Sequence, residues 1–174
     1  MNQSVFEEHY EAVYKYILYL TNDSQLSHDL LQETFYRFYK QSMLIDNPKA
    51  FLIRIARNIV YDYFRKKRIL KFFSLTKDDR IDEAPLPSEV LEKGEENAQL
   101  YHALQQLKMS YKEVVILRYI EEYSVKETAK ILAQSETQVK NNTARGLQKL
   151  RELMEGGGRN ASRKAEISPI TRNK

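Results

Sequence analysis

The sequence predicts an all-α protein of two small helical domains joined by a flexible acidic linker, and three observations predict it. Apolar residues recur at three- and four-residue spacing through both halves of the chain, as in helices with one buried face. Residues 77–97 interrupt that pattern: they carry Pro85, Pro87, Gly94 and many carboxylates, with no sustained apolar periodicity. A balance of 42% hydrophobic and 30% charged residues over 174 residues is that of a folded chain, long enough for two small cores.

The elements follow in order. Phe6, Tyr10, Val13, Tyr14 and Ile17 mark a first helix that breaks at 21–24. Ser27 can cap a second, with Leu31, Phe35 and Phe38 as its apolar stripe and Asp29, Gln32, Glu33, Tyr36 and Lys40 on the other side. Asp46-Asn47-Pro48 supplies a cap and a first-turn proline for a third helix running to about residue 71. At about 100° per residue, Leu52, Ile55, Ala56, Ile59 and Tyr63 line one side of it. Arg54, Arg57, Asn58, Tyr61, Arg65 and Arg68 lie opposite.

Beyond the linker, Leu100, Leu104 and Leu107 mark a fourth helix, and Val114, Val115, Leu117 and Ile120 a fifth that Ser110 can cap. Ser124 caps a short helix containing Ala129 and Leu132, with Glu127 as its capping-box partner, and Ser135 caps the last long helix after a tight turn. In that last helix Val139, Gly146, Leu147, Leu150 and Met154 face the core. Thr137, Gln138, Lys140, Asn141, Ala144, Arg145 and Gln148 are left outward. Residues 124–154 therefore have the form of a helix-turn-helix.

Charge is segregated along the chain. The tail 156–174 holds five basic residues against Glu166 and accounts for the whole net charge of +4. Within the remainder, Arg54, Arg57, Arg65, Lys66, Lys67, Arg68, Lys71 and Lys77 are accompanied only by Asp62. An acidic block follows directly, from Asp78 to Glu96. A basic block suits a phosphate backbone, because each neutralised phosphate releases condensed counterions, although a solvated charged face has the same composition. Arginines interleaved with Asn58 and Tyr61 can bind phosphates, stack on bases and hydrogen-bond base edges. On the last helix, Asn and Gln can pair with adenine, Arg with guanine and Lys with phosphate or guanine, the chemistry of a major-groove reader.

Other classes find little support. Without cysteine there is no disulfide, iron–sulfur or thiolate zinc chemistry, and His9, His28 and His102 lack metal-ligand spacing. No cofactor is expected. Gly156-Gly157-Gly158 is not followed by the Lys-Ser/Thr pair of a phosphate-binding loop, and no nucleophile–histidine constellation is visible, so the chain is not expected to be an enzyme. No apolar run approaches the roughly 18–20 residues of a membrane span, and the polar start is unlike a signal peptide, so no direct membrane insertion and a cytoplasmic location are expected.

Four local patterns, in this order, resemble the bacterial extracytoplasmic-function (ECF) sigma factors of the sigma-70 family across roughly residues 6–153. His28-Asp29-Leu30-Leu31-Gln32-Glu33-Thr34-Phe35 resembles the region 2 motif that docks on the polymerase clamp helices. Phe51-Leu52-Ile53-Arg54-Ile55-Ala56-Arg57-Asn58, continuing to Asp62-Tyr63-Phe64-Arg65, resembles the promoter-melting segment. Val115-Ile116-Leu117-Arg118-Tyr119, with Tyr123-Ser124 and Glu127-Thr128-Ala129, resembles the start of region 4. Thr137-Gln138-Val139-Lys140 with 145–151 resembles its recognition helix.

The resemblance implies a region 2 bundle over 1–72, a linker over 73–96, a region 4 helix-turn-helix over 97–155 and a disordered basic tail over 156–174. It implies that Asp29, Gln32, Glu33 and Tyr36 meet the polymerase core. Arg54, Asn58, Tyr61, Asp62 and Arg65 would contact the −10 element, with Asn58 capturing an unstacked base. Thr137, Lys140, Asn141, Ala144, Arg145 and Gln148 would face the −35 element. The implied partners are the clamp helices and flap of the large polymerase subunits, promoter DNA, and an anti-sigma factor that can be membrane-anchored and hold the chain at the inner membrane face. Ala133 and Gln134 replace the glycine and apolar residue common in the family's turn, Ala144 replaces a larger side chain, and Lys140 and Asn142 make the helix less arginine-rich, so the promoter sequence does not transfer. A helix-turn-helix regulator that binds duplex DNA without joining polymerase is the alternative; it accounts for 124–154 but not for the earlier patterns.

Overall fold

The computed structural model describes residues 2–42, 44–73 and 85–166, and all regular structure among them is helical. The elements are α1 (Asn2–Thr21), α2 (Ser24–Tyr39), α3 (Pro48–Phe73), α4 (Ser88–Leu91), α5 (Glu95–Gln105), α6 (Met109–Val115) running into a π-helical turn (Ile116–Ile120), α7 (Val125–Leu132) and α8 (Glu136–Glu166). No described helix is long and apolar enough to cross a membrane.

Helices α1–α3 form the first unit around Val13, Tyr16, Ile17, Leu31, Phe35, Leu52, Ile53 and Val60. Helices α5–α8 form the second around Leu104, Val114, Ile116, Leu117, Ile131, Leu132 and Val139. The units are in contact in the closed chain. Tyr101 Oη donates to Leu18 O at 2.9 Å, Gln105 Nε2 to Tyr19 O at 2.8 Å, and Lys49 Nζ lies 2.8 Å from Glu121 Oε2.

Several starts differ from the sequence-based expectation. Asn22, at φ 54°, ends α1 and turns the chain so that Asp23, not Ser27, caps α2: its Oδ1 accepts from Leu26 N at 2.9 Å. Ser27 is buried inside the first turns, its hydroxyl donating to Asp23 O. Lys108 in extended backbone precedes α6, which leaves Ser110 within the helix and not at its cap. At α3 the expectation holds: Asn47 Oδ1 accepts from Ala50 N at 3.0 Å ahead of Pro48.

Residues 74–84 of the expected linker lie outside the described residues. Its C-terminal part is anchored: Val90 of α4 is buried, Tyr14 Oη donates to Glu89 Oε1 at 2.5 Å, and Ser24 Oγ to Glu89 Oε2 at 2.9 Å. Burial, followed by the Glu89 bond, pushes the Tyr14 phenol up to about 12. The Tyr14 hydroxyl in turn is the main influence holding the Glu89 carboxyl below its ordinary value.

In the π turn Glu121 N–H reaches back five residues to Ile116 O at 2.9 Å. The capping box on α7 forms as expected, with Ser124 Oγ accepting from Glu127 N at 3.2 Å and Ser124 N donating to Glu127 Oε2 at 2.8 Å. Ser135 and Gln138 make the same reciprocal pair on α8. Between them Ala133 sits at φ 52°, ψ 46°, so the turn uses left-handed backbone on a residue with a Cβ, at a cost of about 1 kcal/mol. Helix α8 continues through the glycines to Glu166, into the stretch expected as a disordered tail from 156, and residues 167–174 of that stretch lie outside the described residues. Leu153, not Met154, prolongs its buried stripe, and Met154 is 44% exposed, because the helical repeat from Gly146 and Leu150 reaches 153 first.

Candidate functional site

Three surfaces collect the residues singled out in the sequence. On α2, Leu31, Thr34, Phe35 and Phe38 are buried, which turns Asp29, Gln32 and Tyr36 outward, with Glu33 half-buried beside them. Glu33 Oε1 accepts from Arg37 Nε at 2.7 Å, Asp29 Oδ1 from Gln25 Nε2 at 3.3 Å, and Lys40 Nζ lies 4.4 Å from the centre of the Tyr36 ring. Carboxylates, an amide and a 55%-exposed phenol on a rigid helix suit a protein surface better than a nucleic acid.

On α3 the outward polar face divides in two. Arg54, Asn58 and Arg65 are exposed, with Asp62 half-buried on the same line and paired with Arg65 at 2.8 Å. Arg57 and Tyr61, expected on that face, instead turn toward α6. Arg57 Nε donates to Glu113 Oε1 at 2.7 Å and Tyr61 Oη to Glu113 Oε2 at 2.7 Å, while the Arg57 guanidinium stacks 4.4 Å from the Tyr61 ring centre. Tyr16 Oη adds a longer bond of 3.4 Å to the same carboxylate. Burial opposes the Arg57 charge, but Glu113 beside it outweighs that effect and holds its pKa above the ordinary arginine value. Burial first, then Glu113, pushes the Tyr61 phenol well up. Next to this cluster opens a cleft of about 590 Å³ lined by Tyr61, Asp62, Phe64, Arg65, Lys67, Arg68 and Met109.

On α8, Thr137, Lys140, Asn141, Ala144, Arg145 and Gln148 are all exposed, over about three turns. The opposite side is seated by Val139 and by Gly146, where a Cβ would stand 3.0 Å from Val115 Cγ2 and 3.3 Å from Tyr111 Cβ. The α8 backbone therefore lies directly on α6, and Val139 holds its first turn in the core.

Glu113 was not among the residues the sequence suggested. The signal was present: Lys112-Glu113 directly precedes Val114-Val115-Ile116-Leu117, so a charged pair stands at the head of a buried apolar run. A buried carboxylate implies a buried cation, but sequence alone does not name Arg57 as that cation.

Comparison with known proteins agrees with the two units. The model of sigma-70 region 2 matches residues 5–69, and that of sigma-70 region 4 matches residues 97–150. The ECF RNA polymerase sigma factor SigX of Bacillus subtilis is 35% identical over 161 residues, covering 88% of this chain and 83% of SigX. SigM of the same organism is 30% identical over 159 residues, covering 88% and 94%. The sigma factor RpoE of Bartonella quintana, solved in complex with the anti-sigma factor NepR, superimposes with a TM-score of 0.73 at 22% identity, covering 88% of this chain and 96% of RpoE. This last likeness is one of fold.

Proposed function

The chain belongs to the ECF RNA polymerase sigma factors of the sigma-70 family, a non-catalytic family, and directs promoter-specific transcription initiation; we propose that it does so through the three surfaces on α2, α3 and α8. Asp29, Gln32, Glu33 and Tyr36 dock on the clamp helices of the polymerase core, and region 4 reaches the flap. Arg54, Asn58, Asp62 and Arg65, joined by Tyr61, hold the −10 strand. Thr137, Lys140, Asn141, Ala144, Arg145 and Gln148 read the −35 duplex in the major groove.

The observation that carries this reading is the pair of exposed polar stripes, Arg54–Asn58 on α3 and Lys140–Arg145 on α8, each on the outer side of a helix whose inner side is buried. Base flipping costs a few kcal/mol, and Asn58 beside arginines on a rigid helix can offset that by hydrogen bonding the extruded base. Promoter opening is then a binding process, with no covalent chemistry required of the protein. The chain works in the cytoplasm with the polymerase, and an anti-sigma factor, of the kind bound to the Bartonella protein, holds it idle.

The test is holoenzyme reconstituted with Asn58→Ala or Arg145→Ala. Arg145→Ala is expected to cost about 1–3 kcal/mol of discrimination between promoters with intact and scrambled −35 elements. Asn58→Ala is expected to retain core binding and duplex binding while losing permanganate reactivity at the −10 thymines. Unchanged discrimination in the first variant, or unchanged reactivity in the second, would remove the corresponding role.

A further inference from the structure

Glu113 and its partners form a built polar site among the described residues. Glu113 is 1% exposed, stands on region 4, and receives hydrogen bonds from three side chains of region 2. A carboxylate held by a guanidinium fork and phenolic hydroxyls is chemically close to a phosphodiester held by the same groups: both present two anionic oxygens to planar or hydroxyl donors. Arg57 and Tyr61 directly flank Asn58 and Asp62 in sequence, and the basic cleft lined by Arg65, Lys67 and Arg68 continues from them along α3. A strand whose base reaches Asn58 would carry its phosphate past this point.

We propose that Arg57 and Tyr61 form a phosphate site for the promoter strand, and that in the closed chain Glu113 fills this site as an intramolecular surrogate. The proposal rests on the reading of α3 as the −10 surface. Its consequence is self-masking. Free chain hides one of its own DNA contacts, and the site becomes available when region 4 moves off region 2. Other polar closing contacts, Lys49 to Glu121, Gln105 to Tyr19 O and Tyr101 to Leu18 O, are separate from the phosphate site. Closure can therefore be loosened without touching Arg57 or Glu113.

The experiment uses the full chain, which lacks cysteine, so Glu7→Cys and Lys130→Cys on exposed positions accept a donor–acceptor dye pair cleanly. Energy transfer reports closure, and titration with a fluorescent single-stranded −10 oligonucleotide at several salt concentrations reports binding. Glu113→Gln is expected to lower the transfer and tighten oligonucleotide binding roughly tenfold. Arg57→Ala is expected to lower the transfer too, yet to bind more weakly than Glu113→Gln. The double variant should lose the gain, with a salt slope smaller by about 0.7, the value for one phosphate contact on a single strand. Lys49→Ala with Gln105→Ala should reproduce the opening and the gain by an independent route, and covers the case in which Glu113→Gln does not fold by circular dichroism.

Opening with no gain in affinity, in either background, overturns the masking. Equal affinity and equal salt slope with and without Arg57 in the opened chain overturn the phosphate site. If no opened variant distinguishes a −10 oligonucleotide from a scrambled one, while closure still depends on Glu113 and Arg57, the reading of α3 has failed and not the clasp.

Discussion

Gly146→Leu is expected to unseat the recognition helix and abolish −35 binding. A Cβ at this position would already stand 3.0 Å from Val115 Cγ2, 3.3 Å from Tyr111 Cβ and 3.4 Å from Tyr111 O. A leucine adds a branched side chain behind that Cβ, in space occupied by α6. Overpacking of this kind costs on the order of 3 kcal/mol, and the better helix propensity of leucine returns only about 1 kcal/mol. The cost falls on the α6–α8 contact, so region 4 should melt early while α1–α3 retains its helical signal.

Gly146→Ala separates volume from propensity. Val115 Cγ2 can rotate away, but Tyr111 Cβ and O belong to the α6 framework and must shift by a few tenths of an ångström. The helix gain and that strain nearly cancel, so Ala is expected to be close to neutral in thermal melting, and only Leu to lose duplex binding. A leucine variant that melts and binds like the parent would show that α8 does not rest on α6 through this glycine.

What was legible in the sequence was local. Asn47-Pro48, Ser124 with Glu127, and Ser135 act within one helical turn, so each could be read from residues a few places apart, and each forms as expected. The outward face of α8 was legible for a related reason: Val139 and Gly146 fix its rotation, and 3.6 residues per turn then point Lys140, Asn141 and Arg145 away from the core.

Two departures came from partners far apart in sequence, and a third from the local backbone. Tyr61 lies on the polar side of α3 by periodicity, yet it turns inward because Glu113, 52 residues on, offers an acceptor at 2.7 Å. No helical period contains that pairing. The acidic stretch looked like a spacer because its carboxylates have no apolar rhythm, but Glu89 is held by Tyr14 and Ser24, 75 and 65 residues away. Ser27 lost its capping role to Asp23 through a backbone event, the left-handed Asn22, which moved the helix start one turn earlier. For Tyr61 and Glu89 residue type was informative and the distant partner was not.

Lys112→Met is expected to stabilise the protein at neutral pH, and to do so with a defined pH dependence. Lys112 is 6% exposed and its ammonium donates to Gln105 Oε1 at 3.0 Å; burial pushes its pKa down to about 8. An unfolded lysine titrates near 10.4, so between about pH 8 and pH 10.4 the unfolded chain holds a proton that the folded chain has released. Stability therefore rises with pH through that window, and below pH 8 the deficit is fully present. At 1.36 kcal/mol per unit the deficit is about 3 kcal/mol, and loss of the bond to Gln105 gives back about 1, leaving a net gain of about 2 kcal/mol at pH 7 for a methionine of similar length. Above about pH 10 the tyrosines act in the opposite sense. Tyr16, Tyr61, Tyr101 and Tyr123 have raised folded pKa values, so the unfolded chain loses their protons first and stability falls. Urea unfolding at pH 7, 8 and 9, below the range in which the tyrosines ionise, should accordingly show the parent gaining stability with pH and the methionine variant remaining nearly flat, with the gap between the two curves narrowing. A gain that stays constant across these pH values would mean that packing, and not the buried ammonium, sets the difference. Because Lys112 points toward Gln105 while its neighbour Glu113 points toward Arg57, the substitution acts on the stability of α6 without altering the Glu113 clasp.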